Sequence, residues 1–420
     1  MKKTVIATLV GIAILGGGAV GGSVYADKKL KQDFYFQNNP KADKRLKITL
    51  KEFDMGVTSG KASWTGEFTP DLCNTEEKLS LRGEDVITRG LSGYNMKSKL
   101  YLVVENGKEF LLFNGDTDIS WAGEFNGKLT APASSYQDDE AGMKVTWDTV
   151  TSNISGGKAD QRYYLSKFDF DAPSVSMENI KAAEEGKFLV QMNNLKYSTD
   201  TIMGQVVKPQ NGTAIFSLGS FKVESPDFNL KVNNVKSESE QTIKDGKFTF
   251  ASRNTIGDIE VNQAKFDRIQ QNFSLQDLNG EAVERANAFL EREGQECLSP
   301  EQSQTEMKEI VKLLLKSGLK VDSKGNQIYL DGSMAKADAD ASLPPIAYEN
   351  DQQLEQAVIE KLKYNAAVEV DKKFIEGILK LMAVYGIGDG STDVEATVKE
   401  LATALDGEVT TDKLIVKRSK

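Results

Sequence analysis

Short segments in which apolar and polar residues alternate recur along most of this 420-residue chain. Examples are Lys47–Leu50, Lys99–Val103 and Lys247–Phe250. This two-residue period predicts β-strands with one buried and one exposed face. Asn-Gly and Asp-Gly pairs lie between such segments, and they tolerate the positive φ that tight hairpins require. Four of these pairs begin at Asn106, Asn126, Asn211 and Asp245. The pattern therefore predicts an antiparallel sheet.

Two sequence echoes suggest that the β-structure is repeated. Trp64-Thr-Gly-Glu-Phe68 recurs as Trp121-Ala-Gly-Glu-Phe125. If both copies are strands, Trp64, Phe68, Trp121 and Phe125 contribute to one apolar face. A longer echo relates residues 168–188 to residues 221–248, with an offset that small insertions would explain. Strand–turn–strand units laid side by side would give an elongated, twisted antiparallel sheet.

Past residue 280 the spacing becomes helical. The fold class predicted is therefore α+β and β-dominated, with C-terminal helices packed on one face or end of the sheet. The regions predicted are 1–26, 27–46 (a charged linker), 47–280 (β-rich) and 281–420 (α+β). The helices predicted are Glu281–Glu293, Pro300–Lys316, Asp351–Leu362, Phe374–Tyr385 and one that Thr392 and Glu395 cap and that ends at Leu405.

The N-terminus carries an uncharged run of 21 residues, Val5–Tyr25, after Lys2 and Lys3. A helix needs roughly 20 residues to cross the hydrocarbon core, whereas the apolar part of a cleaved signal is usually about 7–15 residues long. Val24-Tyr25-Ala26 also fits a cleavage site, so removal after Ala26 stays an alternative. We favour a retained, single-pass inner-membrane anchor, with the bulk of the chain in the periplasm.

Four glycines in this run, Gly17, Gly18, Gly21 and Gly22, form two overlapping small-xxx-small pairs. Such pairs let two helices approach closely in lipid, which would give a homodimer. Glycine is also common in membrane helices without any such role, and that interpretation is slightly favoured. The same tract matches a dinucleotide-binding string, but no strand precedes it, so we expect no nucleotide and no cofactor.

Composition excludes several classes of function. The formal charge is −10, and it is −12 without Lys2 and Lys3, which argues against nucleic acid and against electrostatic attachment to anionic lipid. The chain has no histidine, so histidine-based catalytic triads and histidine-containing metal sites are excluded. No metal site is predicted.

Cys73 and Cys297 are the two cysteines of the chain. Outside the cytoplasm they could pair and stabilise the protein by closing a long loop. They could instead be two buried thiols that never meet, and this interpretation is favoured, because sequence alone does not bring their Cα atoms together.

Acidic clusters offer weak candidates for catalysis. They lie at Asp138-Asp139-Glu140, at Asp169 with Asp171, at Asp331 and at Asp338 with Asp340. Paired carboxylates can hydrolyse glycosides, and this makes a hydrolase of envelope glycan the alternative function. A turn or a solvated strand face explains these acids more simply, so we expect no enzyme.

Four stretches of the chain resemble the YdgA-like family of bacterial envelope proteins of unknown function. They are the glycine-rich N-terminus ending in Tyr25-Ala-Asp-Lys28, Phe188–Lys196 with Gly219–Val223, Gly246–Phe248 through Ile259, and Gly318–Lys320 with Ile328–Met334. The resemblance implies a periplasmic protein of a Gram-negative bacterium that is tethered to the inner membrane and could dimerise. It supplies no catalytic residues.

These observations favour a non-enzymatic binding or scaffold module of the cell envelope, whose partner is an envelope protein, a lipid or a second copy. If helices cover only part of the sheet's apolar face, the remainder would form a groove for lipid or another apolar ligand. If the helices and sheet curvature close the face, no such groove exists, and this alternative is the one favoured from sequence.

Overall fold

A computed structural model describes residues 35, 45–69, 72–73, 78–104, 107–139, 142–159, 162–180, 186–201, 210–262, 264–346, 350–384 and 393–420. The strands are β1 (Leu46–Met55), β2 (Ser59–Phe68), β3 (Leu79–Arg89), β4 (Gly93–Val103), β5 (Glu109–Ser120), β6 (Phe125–Ala131), β7 (Ser134–Asp138), β8 (Met143–Trp147), β9 (Val150–Ala159), β10 (Arg162–Asn179), β11 (Leu189–Thr199), β12 (Gly212–Glu224), β13 (Asn229–Lys244), β14 (Lys247–Ile256), β15 (Asp258–Val261), β16 (Ala264–Asn279), β17 (Leu319–Leu330), β18 (Ser333–Leu343), β19 (Lys363–Asp371), β20 (Glu408–Val409) and β21 (Lys413–Ser419). The helices are α1 (Gly280–Glu296), α2 (Pro300–Ser317), α3 (Asp351–Lys361), α4 (Lys372–Val384) and α5 (Val394–Leu405).

The chain forms two compact units. Unit 1 comprises Met1–Lys181, Asn193–Gly212 and Glu284–Met307, and unit 2 comprises Ala182–Met192, Thr213–Val283 and Lys308–Lys420. The β-dominated fold and the antiparallel sheet structure are confirmed. The predicted boundary at residue 280 separates β-rich sequence from mixed α+β sequence. The two units are defined by contacts instead, and each combines segments from both sides of that boundary.

Unit 1 contains a run of antiparallel neighbours in the order β1-β2-β3-β4-β5-β6-β9-β10-β8-β7. Burial alternates along these strands: in β3, Leu81, Asp85 and Ile87 are buried, while Glu84 and Val86 between them are exposed. One face of this sheet therefore carries the core of unit 1.

Unit 2 contains a second run of antiparallel neighbours, β13-β14-β16-β17-β18-β19-β21-β20. Its strands are mostly half-buried along their length, and full burial is confined to positions near the strand ends, such as Leu330, Leu343 and Leu414. This pattern shows that the sheet of unit 2 is covered at its ends more completely than at its centre.

The five helices confirm the predicted ones to within a few residues. The predicted cap of the last helix is wrong: Asp393 is the N-cap, and its side chain accepts a hydrogen bond from the backbone N–H of Ala396. Asp and Thr are both good N-cap residues, so sequence could not choose between neighbours. The helix ends at Asp406, whose φ of 47° gives a left-handed cap.

The echoes do not mark equivalent structures throughout. Trp64–Phe68 lies in β2, but Trp121 lies in the β5–β6 turn, where Gly123 has a φ of 90°. The prediction that the second copy is a strand is therefore wrong, because the positive φ reverses the chain there. In the longer echo, β10 continues through Pro173, whereas β12 ends at Glu224, before the matching proline.

The predicted membrane anchor and its four glycines lie outside the described residues. Among the helices that the structure describes, none combines the length and the hydropathy that a membrane span requires.

Cys73 and Cys297 form a disulfide, with Cα atoms 5.3 Å apart and 224 residues apart in sequence. Cys73 lies between β2 and β3, and Cys297 directly follows α1. Both residues belong to unit 1, so the bond fixes the end of α1 to the loop that begins after β2.

Replacing both cysteines by serine should lower the free energy of unfolding by roughly 3–5 kcal/mol, because a cross-link closing a loop of this length restricts the unfolded chain. Urea unfolding followed by tryptophan fluorescence measures the loss. Reductant should destabilise the wild type by a similar amount and leave the double variant unchanged. A wild type that is indifferent to reductant would contradict the prediction.

Candidate functional site

One face of the unit 2 sheet carries a band of apolar side chains across neighbouring strands. In β18 the residues Ala335, Ala337, Ala339 and Ala341 alternate with polar residues and so share one face. Cross-strand pairs extend this face in both directions: Ile328 lies opposite Ala335 and Ile269, and Val368 lies opposite Ala337 and Val416. We call six of these residues the apolar strip: Ile269, Ile328, Ala337, Ala339, Val368 and Val416.

Helices cover this face at both ends of β18. At one end, Leu343, Ile346 and Leu354 form a buried cluster against which residues of α2 and α3 pack. At the other end, Ile375 of α4 and Val398 of α5 pack with Leu414, and Val370, which lies opposite Ala335, and Val416, the β21 end of the strip, pack against this cluster.

The middle of the face is open between these two clusters. Ile328 and Val368 are each 38% exposed, and Ala337 and Ala339 are exposed as well. The strip crosses β16, β17, β18, β19 and β21, and its part outside the covered cluster, on β16–β19, is about 14 Å long at a strand spacing of ~4.8 Å. A contiguous apolar surface of this kind is uncommon on a soluble domain unless it binds something.

The opposite face of the same strands is polar and internally paired. Lys336 contacts Asp338 at 2.7 Å, and Lys324 contacts Asp322 at 2.9 Å and Asp340 at 3.1 Å. The backbone N–H of Gly325 and then Lys336 lower the pKa of Asp338. This charged face is the solvated side that an antiparallel sheet commonly has. The exposed apolar strip on the other face is the unusual feature.

A second feature, in unit 1, is a buried carboxylate. Asp85 is 3% exposed, and its Oδ2 accepts hydrogen bonds from the Tyr35 hydroxyl at 2.8 Å and from Trp64 Nε1 at 2.9 Å. Tyr35 is fully buried and packs edge-on against Phe53. Gly83 makes room for the indole, since a Cβ there would lie 2.0 Å from the Trp64 ring.

Burial raises the pKa of Asp85, and the hydrogen bonds from its neighbours oppose that rise. Burial, with Asp85 next, also raises the pKa of Tyr35, so this tyrosine stays protonated and remains a donor. Asp85 lies enclosed beneath its two donors rather than in a cleft. Its arrangement is that of a structural carboxylate, and sequence missed it because Asp85 looks like a polar residue of an alternating strand.

The residues that sequence assigned to an apolar face do not form one open surface. Trp64 and Phe125 are buried, Phe68 is half-buried, and Trp121 packs edge-on against Tyr94 at 4.9 Å. The open apolar surface lies instead on strands β16–β21. The sequence signal for this surface was the alternation of alanine with charged residues in β18. Only the charged residues of that alternation entered the prediction.

The acidic clusters are engaged by neighbouring polar groups. Asp169 accepts a hydrogen bond from Ser198, Asp171 pairs with Lys196, and Asp138 ends β7. Asp338 and Asp340 belong to the paired polar face, and Asp331 lies in the β17–β18 turn with a φ of 48°. Glu140 lies outside the described residues, and no group of acids and cysteines in the described part of the chain could hold a metal ion.

A family of bacterial proteins of unknown function, DUF945, matches residues 1–419. The chain belongs to this family. No curated protein and no solved structure matches it. Membership of this family establishes a bacterial protein but assigns it no activity. The narrower resemblance to YdgA-like envelope proteins stays a prediction.

Tyr35→Phe should lower the free energy of unfolding by about 1–3 kcal/mol, because it removes one donor from a buried carboxylate. Tyr197→Phe is the matched control, since that half-buried ring packs on Phe168, and we expect it to cost less than ~0.5 kcal/mol. Urea unfolding of the full chain gives both values. Equal effects of the two variants would argue against the Tyr35–Asp85 bond.

Asp85→Asn should become more stable relative to the wild type as the pH rises. The raised pKa means that the folded wild type holds the proton more tightly than the unfolded chain does. The stability that the wild type gains from this tighter proton binding is fully present below the unfolded pKa of ~3.9. It is lost as the pH rises through the folded pKa. Measuring the unfolding free energies of the wild type and the variant as the pH rises through these two pKa values tests the prediction. A difference between them that does not change with pH would refute it.

Proposed function

We propose that this protein is a non-enzymatic binding module, tethered to the inner membrane in the periplasm, whose apolar strip holds a linear apolar ligand such as a lipid acyl chain. The observation that carries the proposal is the open centre of the unit 2 sheet face between two helix-covered ends. Ile328 and Val368 there expose more apolar surface than a closed core would leave.

The shape of the strip supports a narrow ligand. Helix-covered clusters flank it along the strand direction, and between them β18 presents only alanines. Alanine methyl groups give a shallow floor on which an extended chain could lie against the larger Ile328 and Val368. A ligand of this kind would gain roughly 25 cal/mol for each Å² of apolar surface removed from water.

Two observations support a location outside the cytoplasm. The uncharged run Val5–Tyr25 is long enough for a membrane anchor. The Cys73–Cys297 disulfide fits an oxidising compartment, since such bonds are rare in the cytosol. The resemblance to YdgA-like envelope proteins agrees with both, and it leaves room for a homodimer through the glycines of the anchor.

The carboxylate-dependent hydrolase has less support. Such an enzyme needs two acids that converge in a cleft, one with a raised pKa. Asp85 has the raised pKa, but it is enclosed and its partners are Tyr35 and Trp64. Asp169, Asp171, Asp338 and Asp340 are surface acids with serine, lysine or backbone partners.

Photoreactive fatty acids, incorporated into the phospholipids of cells that make the full-length protein, should label peptides of β17–β19 around Ile328 and Val368. Mass spectrometry of the purified chain locates the labelled peptides. Val368→Glu should remove most of the label at these strands, because a carboxylate would have to be desolvated against the acyl chain.

Gln327→Glu is the matched control. Gln327 precedes Ile328 in β17 and faces the polar side, opposite Lys336, so its labelling should equal that of the wild type. Labelling confined to the N-terminal peptides would contradict the lipid proposal. The strip would then have to bind a protein, and a scaffold function would replace the proposed lipid binding.

A further inference from the structure

We infer that unit 1 carries a second, separate surface: three adjacent hairpin tips, at one end of β1–β6, that insert into the lipid–water interface beside the N-terminal tether. The tips are residues 56–58, 90–92 and 121–124. The inference rests on the proposed tether and not on the apolar strip, and its partner is the bilayer surface itself.

The three tips are neighbours in the sheet. The backbone N–H of Arg89 donates to the Thr58 carbonyl at 2.8 Å, which joins the first two. The backbone N–H of Trp121 donates to Ser92, and its indole Nε1 donates to the Leu91 carbonyl at 2.6 Å, which joins the last two.

Two of these tips have the same construction. In each, a glycine N–H donates to the carbonyl three residues on, from Gly56 to Ser59 and from Gly90 to Gly93, at 2.8 Å. The residue after each glycine is aliphatic and projects into solvent: Val57 is 85% exposed and Leu91 is fully exposed. A lone exposed aliphatic residue needs no explanation, but the same placement at two hydrogen-bonded tips does.

The first two tips carry no charged residue, and the third carries one, the exposed Glu124. Trp121, in the third tip, is half-buried against Tyr94, and its indole N–H is satisfied by Leu91. Tryptophan, with an apolar ring and a polar N–H, is a residue that favours the membrane interface.

The opposite end of the same hairpins has the opposite character. The connections between β2 and β3 and between β4 and β5 contain Glu76, Glu77, Lys78, Glu105 and Lys108. The sheet of unit 1 is therefore polarised along its strands, with an apolar end whose tips carry one charged residue and an opposite end rich in charged residues.

The chain length places the apolar end within reach of the bilayer. Tyr35 is held on Asp85, and Asp85 lies six residues, or about 20 Å, from Leu91 along β3 and its turn. Tyr35 lies nine positions after Ala26, and a chain of that length can span at most ~30 Å. A bilayer at the end of the anchor thus lies close enough for the tips to meet it.

The test uses the full-length chain in bilayer nanodiscs of phosphatidylethanolamine and phosphatidylglycerol. Val57→Cys and Leu91→Cys each provide a thiol for an environment-sensitive fluorophore, since the native cysteines are paired. Lipids brominated near the glycerol end of their acyl chains quench a fluorophore that reaches the interface. Lys108→Cys, on the charged end, is the matched control.

Quenching several-fold stronger at positions 57 and 91 than at position 108, with a blue-shifted emission, is the expected result. Equal, weak quenching at all three positions would overturn the inference while leaving the tether intact. Protein recovered apart from the nanodiscs would overturn the tether and the insertion of the tips together. Neither outcome bears on acyl-chain labelling of the apolar strip.

Discussion

The sheet of unit 2 has a longer apolar face than its helices cover, and the candidate function follows from this excess. β18 has 11 residues and is about 36 Å long at ~3.3 Å per residue. α4 contacts β17, β18 and β19 and so runs across them, covering roughly one helix diameter, ~10 Å, of strand length. With α2 and α3 at the other end, the centre of the strands is left open, and alanines occupy it.

Small residues make this arrangement tolerable in water. A strand centre built of Val, Ile or Phe would expose a patch prone to aggregation, whereas Ala337 and Ala339 expose little apolar surface each. The larger Ile328 and Val368 flank them on adjacent strands. The result is an exposed apolar surface whose central side chains are small.

In unit 1 the corresponding constraint is the Tyr35–Asp85–Trp64 cluster. Burying Asp85 is costly unless its oxygens are hydrogen-bonded, and the two donors come from separate parts of the chain. Tyr35 must therefore dock on the sheet before the carboxylate has both donors. In this way the cluster fixes Tyr35, a residue of the predicted linker, on the sheet.

The sequence predicted what depends on local periodicity and missed what depends on long-range contacts. Alternation located strands such as β4 and β14, and helical spacing located α1 to α5 to within a few residues. The Trp121 copy of the echo was misassigned because its positive-φ Gly123 and its bond to Ser92 are tertiary features. The apolar strip was missed for a related reason: Ile269, Ile328, Val368 and Val416 meet only through strand register, which no single segment encodes.

The charge of the chain explains why both candidate surfaces are apolar. A protein of net charge −10 is repelled by anionic lipid, so electrostatic attraction cannot hold it on such a membrane. A contact with the bilayer must then come from a tether or from apolar side chains, and a lipid ligand must be held through its chain rather than its headgroup. The uncharged tips around Val57 and Leu91 and the alanine floor of the strip both meet that requirement. On the opposite face, Lys324 pairs with Asp322 and Asp340, and Lys336 pairs with Asp338, so these two lysines do not face the strip.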